Sequence, residues 1–260
     1  MQKANAVFRL DGKVAMVVGG GSGIGHAAAV ALADSGASIA CADVNIDSAN
    51  KTASETGGKA FTLDIRTTAS VNEAVAAVVA AYGKIDILVV TPAVNVRKRL
   101  LEYKDEELDR VVDLNLKGNF RIARAVAEVM CNNPDGGSMI LTSSIRSLVV
   151  EPGQGIYAAT KASLVQLARG FAVELAEKNI RVNVIAPGVV ETPLTMPIKS
   201  NEAWYRAYAD RNAMKRWAQP EEMAWPIVFL SSRAASYITG AVLFVDGGWT
   251  GIDGRFEPPL

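Results

Sequence analysis

The 260-residue sequence predicts an α/β fold, a doubly wound parallel β-sheet with helices on both faces. Two observations carry that expectation. Short apolar runs alternate with longer helical stretches, with no linker or shift in composition between them. A glycine cluster falls between the first apolar run and the first helical stretch, the context that a phosphate-cradling loop needs.

The elements follow in order. Val14-Ala15-Met16-Val17-Val18 reads as a strand buried on both faces. It leads into Gly19-Gly20-Gly21-Ser22-Gly23-Ile24-Gly25 and an alanine-rich helix reaching Ser35. Glycines there let the backbone approach a pyrophosphate, whose charge is stabilised by amides at a helix N-terminus. A second strand, Ser38 to Asp43, ends on an acid eighteen residues beyond Gly25. That is close to the interval at which a carboxylate bonds the adenosine ribose hydroxyls. The same charge would repel a 2′-phosphate, so the cofactor expected is NAD rather than NADP.

Lys59 to Asp64 and Ile85 to Val90 read as strands, with a helix over Thr68 to Tyr82 between them. Asp105 to Met130 reads as one long helix, Ser138 to Ser143 as a strand and Ile156 to Lys178 as a helix. Arg181 to Ala186 is the next strand, Pro220 to Ser231 a helix and Ala241 to Asp246 the last strand. A single domain over residues 1–260 follows. Its least regular part, 188–217, is long enough for a substrate loop or lid. Trp204, Tyr205 and Tyr208 fall there at helical spacing, which equally fits a small helix packed on its own domain.

Composition narrows the function. Lys plus Arg equals Asp plus Glu, 27 each, with no long block of like charge, which argues against nucleic acid or an anionic membrane as partner. Cys41 and Cys131 lack metal-ligand spacing, and His26 is the only histidine, so no metal site is expected. No signal-peptide core precedes Val18, because Arg9, Asp11 and Lys13 interrupt it, and no eighteen consecutive apolar residues occur. A cytoplasmic protein with reduced thiols is expected.

The chemistry centres on Tyr157-Ala158-Ala159-Thr160-Lys161. A tyrosine and a lysine four residues apart share one face of a helix. A free phenol has a pKa of about 10. A nearby ammonium would favour phenolate, making Tyr157 a workable acid/base.

Together these motifs resemble the short-chain dehydrogenase/reductase family over essentially the whole chain. Val18 to Gly25 matches its glycine motif, Asp64 in Leu63-Asp64-Ile65 its adenine-contacting acid, and Asn115 in Leu114-Asn115-Leu116-Lys117-Gly118 its helical asparagine. Ser144, thirteen residues before Tyr157, matches its active-site serine. Pro187-Gly188-Val189-Val190-Glu191-Thr192 resembles its nicotinamide-side loop. The resemblance implies a Rossmann-type fold and hydride transfer between NAD and a secondary alcohol or ketone. It implies a catalytic set of Asn115, Ser144, Tyr157 and Lys161. The implied cofactor contacts are Gly19, Gly21, Ser22, Gly23, Ile24, Gly25, Asp43, Asp64, Ile65, Tyr157, Lys161, Pro187, Val190 and Thr192. In this scheme Lys161 also holds the nicotinamide ribose, and Asn115 holds a water linking Lys161 to solvent.

The sequence departs from the family pattern in three places. Val18 replaces the threonine of the glycine motif, Val90-Thr91-Pro92-Ala93 replaces Asn-Asn-Ala-Gly, and Ser147 replaces a common glycine. Arg97, Arg99, Arg146 and Gln154 are the candidate substrate contacts, and they suit a polyol, sugar or sugar acid. The stretch Asn95 to Arg99 resembles family members acting on such compounds. A 3-oxoacyl-thioester reductase is the alternative, and a non-catalytic NAD-binding sensor is the alternative of another class. The family implies a homotetramer, for which Ala123, Ala125, Val126, Val129, Phe171 and Leu175 offer apolar surface unless the core takes them. The tail 251–260 is expected either to reach a neighbouring subunit or to lack order.

Overall fold

Residues 4–252 are described by the computed structural model; most of the 251–260 tail lies outside the described residues. Seven parallel strands form one sheet: β1 Val14–Val18, β2 Ser38–Asp43, β3 Lys59–Thr62, β4 Ile87–Val90, β5 Gly137–Thr142, β6 Ile180–Pro187 and β7 Val242–Val245. Their order is β3-β2-β1-β4-β5-β6-β7, with Val17 paired to Cys41 on one side and to Val89 on the other. The order reverses between β1 and β4, which opens a crevice at the C-terminal strand ends.

Both faces of the sheet are covered, as the unbroken apolar runs require. Alternate β1 residues point to opposite faces. Met16 and Val18 belong to a core with Val75 of α3 (Thr68–Tyr82), Ile122 of α5 (Asn119–Met130) and Ala168 of α6 (Gly155–Leu175). Ala15 and Val17 belong to a second core with Leu32 of α1 (Gly23–Asp34), Ala53 of α2 (Ile46–Thr56) and Ile227 of α9 (Pro220–Ser231). Each buried Val, Leu, Ile or Met among these contributes about 1.5–3 kcal/mol. Ala123, Ala125 and Val126 are spent on the first core, so they offer no surface to a neighbouring subunit.

Two elements differ from expectation. Helix α2 was not anticipated, because only Ala49, Thr52 and Ala53 of it are buried and no apolar stripe marks it. Its ends are nonetheless well defined. The Asn45 side chain accepts the Ser48 N–H at 3.1 Å, and Gly57 closes the helix at φ 65°. The long helix over 105–130 is interrupted. Between α4 (Asp105–Val112) and α5 lies a π-helical segment, Asp113–Gly118, that contains Asn115. Such segments insert a residue into a helix and re-aim its neighbours, often at functional sites.

In 188–217 two short helices occur, α7 Met196–Lys199 and α8 Glu202–Arg211. Tyr205 stacks on Trp217 with ring centroids 5.1 Å apart, and the Trp217 indole N–H donates to the Tyr205 carbonyl at 2.9 Å. Trp217 is fully buried, so α8 is anchored to its own domain, while Trp204 stays exposed. No described helix is long and apolar enough to cross a membrane, and no described cluster of three His, Cys, Asp or Glu could hold a metal.

Candidate active site

The β1–α1 turn builds a cradle at the sheet's switch point. Gly19 and Gly23 take φ 75° and 52°, values that favour glycine. At Gly25 a Cβ would lie 2.1 Å from the Gly19 carbonyl oxygen, so only glycine lets α1 close onto the turn. The Asp43 carboxylate accepts the N–H of Gly21 at 3.0 Å and of Asn45 at 2.9 Å, tying the turn to the end of β2. The hydroxyl missing at Val18 returns from the next strand: Thr91 Oγ1 donates to the Val18 carbonyl at 3.0 Å.

A cleft of about 450 Å³ runs along this cradle. Gly19, Ser22, Gly23, Ile24, Asp43, Asp64, Ile65 and Thr192 line it, as do Val44, Arg66, Arg110 and Leu194, which the sequence reading did not single out. Gly21, Gly25, Tyr157, Lys161, Pro187 and Val190 lie outside that lining. Val190 is buried, and its carbonyl accepts the Thr195 hydroxyl at 2.6 Å, which holds the Thr192 turn. Asp64 is paired with Arg66 at 2.7 Å, and that hydrogen bond holds its carboxyl below the usual carboxylate range.

Beyond the cleft, Ser144, Tyr157 and Lys161 meet where β5 and α6 converge, and Asn115 of the π segment reaches α6 at Thr160. Asn115 is fully buried, and its amide is committed. Oδ1 accepts the Val94 N–H at 2.9 Å, while Nδ2 donates to the Val94 carbonyl at 2.9 Å and to Thr160 Oγ1 at 3.1 Å. Both amide hydrogens are engaged, so Asn115 fixes the cleft wall at Val94. Lys161 is buried, with Nζ donating to the Thr142 carbonyl at 2.8 Å and lying 5.6 Å from the Tyr157 ring centroid.

Burial pushes the Tyr157 phenol up to about 12, against the downward pull of its Ser144 hydrogen bond and the Arg146 charge. Burial also pushes Lys161 down to about 7. Burial thus loosens the ammonium's hold on its proton. The Arg146 guanidinium is a further charge that favours the Tyr157 phenolate.

Next to these groups the structure gathers a polar cluster around Glu151. Arg97 reaches Glu151 at 2.7 Å and Arg146 reaches it at 2.6 Å. Gln154 and Tyr208 also donate to it, and Arg97 donates to Tyr208 at 3.1 Å. Arg97 lies over Trp204 and Arg146 over Trp249, at 5.2 and 5.4 Å. Arg97, Arg146 and Gln154 are thus brought together, while Arg99 is exposed at a turn outside the cluster. Trp249 had no signal beyond being an aromatic residue after the last strand.

Residues 18–250 match a family described as enoyl-(acyl carrier protein) reductase. The chain is 38% identical to the 3-oxoacyl-acyl-carrier-protein reductase of Thermotoga maritima, covering 93% of this chain and 99% of that one. It is 38% identical to the D-threitol dehydrogenase of Mycolicibacterium smegmatis, covering 94% and 95%. This chain belongs to the short-chain dehydrogenase/reductase family. A crystal structure of a gluconate 5-dehydrogenase from Burkholderia cenocepacia J2315, in complex with NADP and tartrate, superposes with a TM-score of 0.91 at 33% identity. That match covers 96% of this chain and all of the other.

Membership makes the protein an oxidoreductase of alcohol or keto groups that uses a nicotinamide cofactor. The cradle fits such a group. The turn before α1 is stripped of side chains at Gly19, Gly23 and Gly25, and a carboxylate stands at its far end.

Proposed function

We propose that this short-chain dehydrogenase/reductase is NAD-dependent and acts on a secondary alcohol or ketone of a polyol, sugar or sugar acid. The observation that carries the substrate class is the Arg97–Glu151–Arg146 cluster beside Ser144 and Tyr157. Charged and amide groups placed there suit a densely hydroxylated substrate better than an acyl chain. Asp43 supports NAD, because its carboxylate lines the cleft where a 2′-phosphate would have to sit.

When bound, the nicotinamide supplies the hydride acceptor or donor. Tyr157 then takes the proton of the substrate hydroxyl in oxidation and returns it in reduction. Ser144 bonds the substrate oxygen and stabilises charge developing on it. Lys161 would hold the nicotinamide ribose and hand on the proton. Thr192 would hold the carboxamide. A homotetramer and a cytoplasmic location complete the proposal.

A second reading, reduction of 3-oxoacyl thioesters, is favoured by the Thermotoga maritima relative and by the description of the family. Purified protein assayed with NAD and NADP against polyols, aldonic acids and acetoacetyl-CoA separates the two. Turnover of a polyol or aldonate with NAD, abolished in Tyr157→Phe with NAD binding retained, is the expected result. Reduction of acetoacetyl-CoA alone would replace this reading with the second. NAD binding with no turnover on any compound would favour a non-catalytic NAD sensor.

A further inference from the structure

We propose that Arg146 and Asn95 form a specificity subsite for the carboxylate and an adjoining hydroxyl of a polyhydroxy acid. The proposal rests on the sugar-acid side of the reading above and narrows it.

Arg146 is 7% exposed. A guanidinium carries five N–H donors. Among the described residues those donors make one hydrogen bond, to Glu151 at 2.6 Å. Its unbonded nitrogens are not among the fully buried atoms left without a partner, so they stay open to a ligand. Glu151 is shared, because its other oxygen accepts from Arg97, Gln154 and Tyr208. The other acids nearby are engaged too: Glu107 holds Lys98, and Glu191 holds Lys199 and Tyr205. Two guanidinium groups therefore share one carboxylate, and the cluster is one anion short.

Asn95 is the complementary defect. Its Oδ1 is buried with no donor among the described residues. The amide orientation is fixed by its neighbours. Gln154 Nε2 donates to Glu151, so Gln154 Oε1 is the end that accepts, and it takes Asn95 Nδ2 at 3.4 Å. Asn95 Oδ1 is thus left as an acceptor wanting a hydroxyl. A ligand hydroxyl would satisfy that acceptor.

Both defects flank the proton-transfer groups. The Arg146 backbone N–H donates to Ser144 Oγ at 3.2 Å, and Gln154 caps α6 three residues before Tyr157. A ligand matching the pair carries a carboxylate for Arg146 and a hydroxyl for Asn95, close to the carbinol that reacts.

Trp249 over the Arg146 guanidinium provides an internal reporter. Tryptophan fluorescence of the NAD-loaded protein would be titrated with D-gluconate against D-glucitol, and with D-threonate against D-threitol. In at least one pair the acid should bind about tenfold more tightly than the alcohol. Arg146→Gln should cost that acid about 30-fold and erase the preference, whereas Arg146→Lys, which keeps the charge without the fork, should retain part of it. Asn95→Leu should weaken acid and alcohol alike. Equal binding within both pairs, or an equal loss for acid and alcohol in Arg146→Gln, would overturn the proposal and leave Arg146 as a brace for Ser144. Turnover tests the dehydrogenase reading, whereas the acid-over-alcohol preference in binding tests this one, so the two can fail separately.

Discussion

The ammonium of Lys161 donates a hydrogen bond to the carbonyl oxygen of Thr142 across 2.8 Å. The next residue grips the same lysine from its other end, since Ser143 Oγ donates to the Lys161 carbonyl at 2.7 Å. Two successive positions at the end of β5 therefore lock α6 against the sheet. They also hold the ammonium in a buried site, where its hydrogen-bond partner among the described residues is a backbone carbonyl and not a carboxylate. That is why burial, with no counter-charge to offset it, sets its proton affinity.

A pH dependence of stability follows. The folded-state pKa of Lys161 is about 7, below the usual lysine value, so between about pH 7 and 10 the unfolded chain binds the extra proton. Stability of the cofactor-free protein should rise with pH through that window and fall as pH drops toward 7. Thermal unfolding at pH 7 and pH 9 checks this against Lys161→Met, in which other titrating groups cancel. Wild type should gain on the variant at the higher pH. Parallel behaviour would show that the ammonium is not paying for burial.

What was legible in the sequence was local. The glycine turn, the acid ending β2 and the Tyr157/Lys161 spacing depend on residues near one another in the chain. The connections between distant segments were not legible. Glu151 meets Arg97 and Tyr208 from 54 and 57 residues away, and its role as a hub shows only once the three segments converge. The π segment around Asn115 leaves no mark either, because one additional residue in a helical turn barely disturbs an apolar pattern. The burial of Lys161 was not legible either. Spacing along a helix reports proximity, not burial.

Cofactor choice turns on Asp43. The carboxylate holds the Gly21 and Asn45 amides, so deleting it would disturb the cradle along with the charge. Asp43→Asn keeps an acceptor oxygen and removes only the charge. The preference for NAD over NADP, measured as the ratio of kcat/KM, should shrink by about 10- to 100-fold in this variant, or about 1.4–2.7 kcal/mol. A wild-type enzyme that already prefers NADP would overturn the assignment.

The replacement of Asn-Asn-Ala-Gly by Val90-Thr91-Pro92-Ala93 is compensated at Thr91 and Gly25. Val18 pairs with Val90, so Thr91 comes to rest beside the glycine turn, and its hydroxyl reaches the Val18 carbonyl at 3.0 Å. The fit is tight, because a Cβ on Gly25 would lie 2.9 Å from Thr91 Oγ1 and 2.1 Å from the Gly19 carbonyl oxygen. Thr91→Val keeps the shape and removes the bond, and should cost about 1 kcal/mol. Gly25→Ala meets backbone that cannot step aside, and should cost about 3 kcal/mol or more. Gly57 serves as the control: its φ is 65° but nothing lies within 4 Å of an added Cβ, so Gly57→Ala should cost only about 1–2 kcal/mol. Denaturant unfolding of the three variants gives the ranking. If Gly25→Ala is no worse than Gly57→Ala, then α1 can back away from the turn, and the close approach that shapes the cofactor cradle is not required.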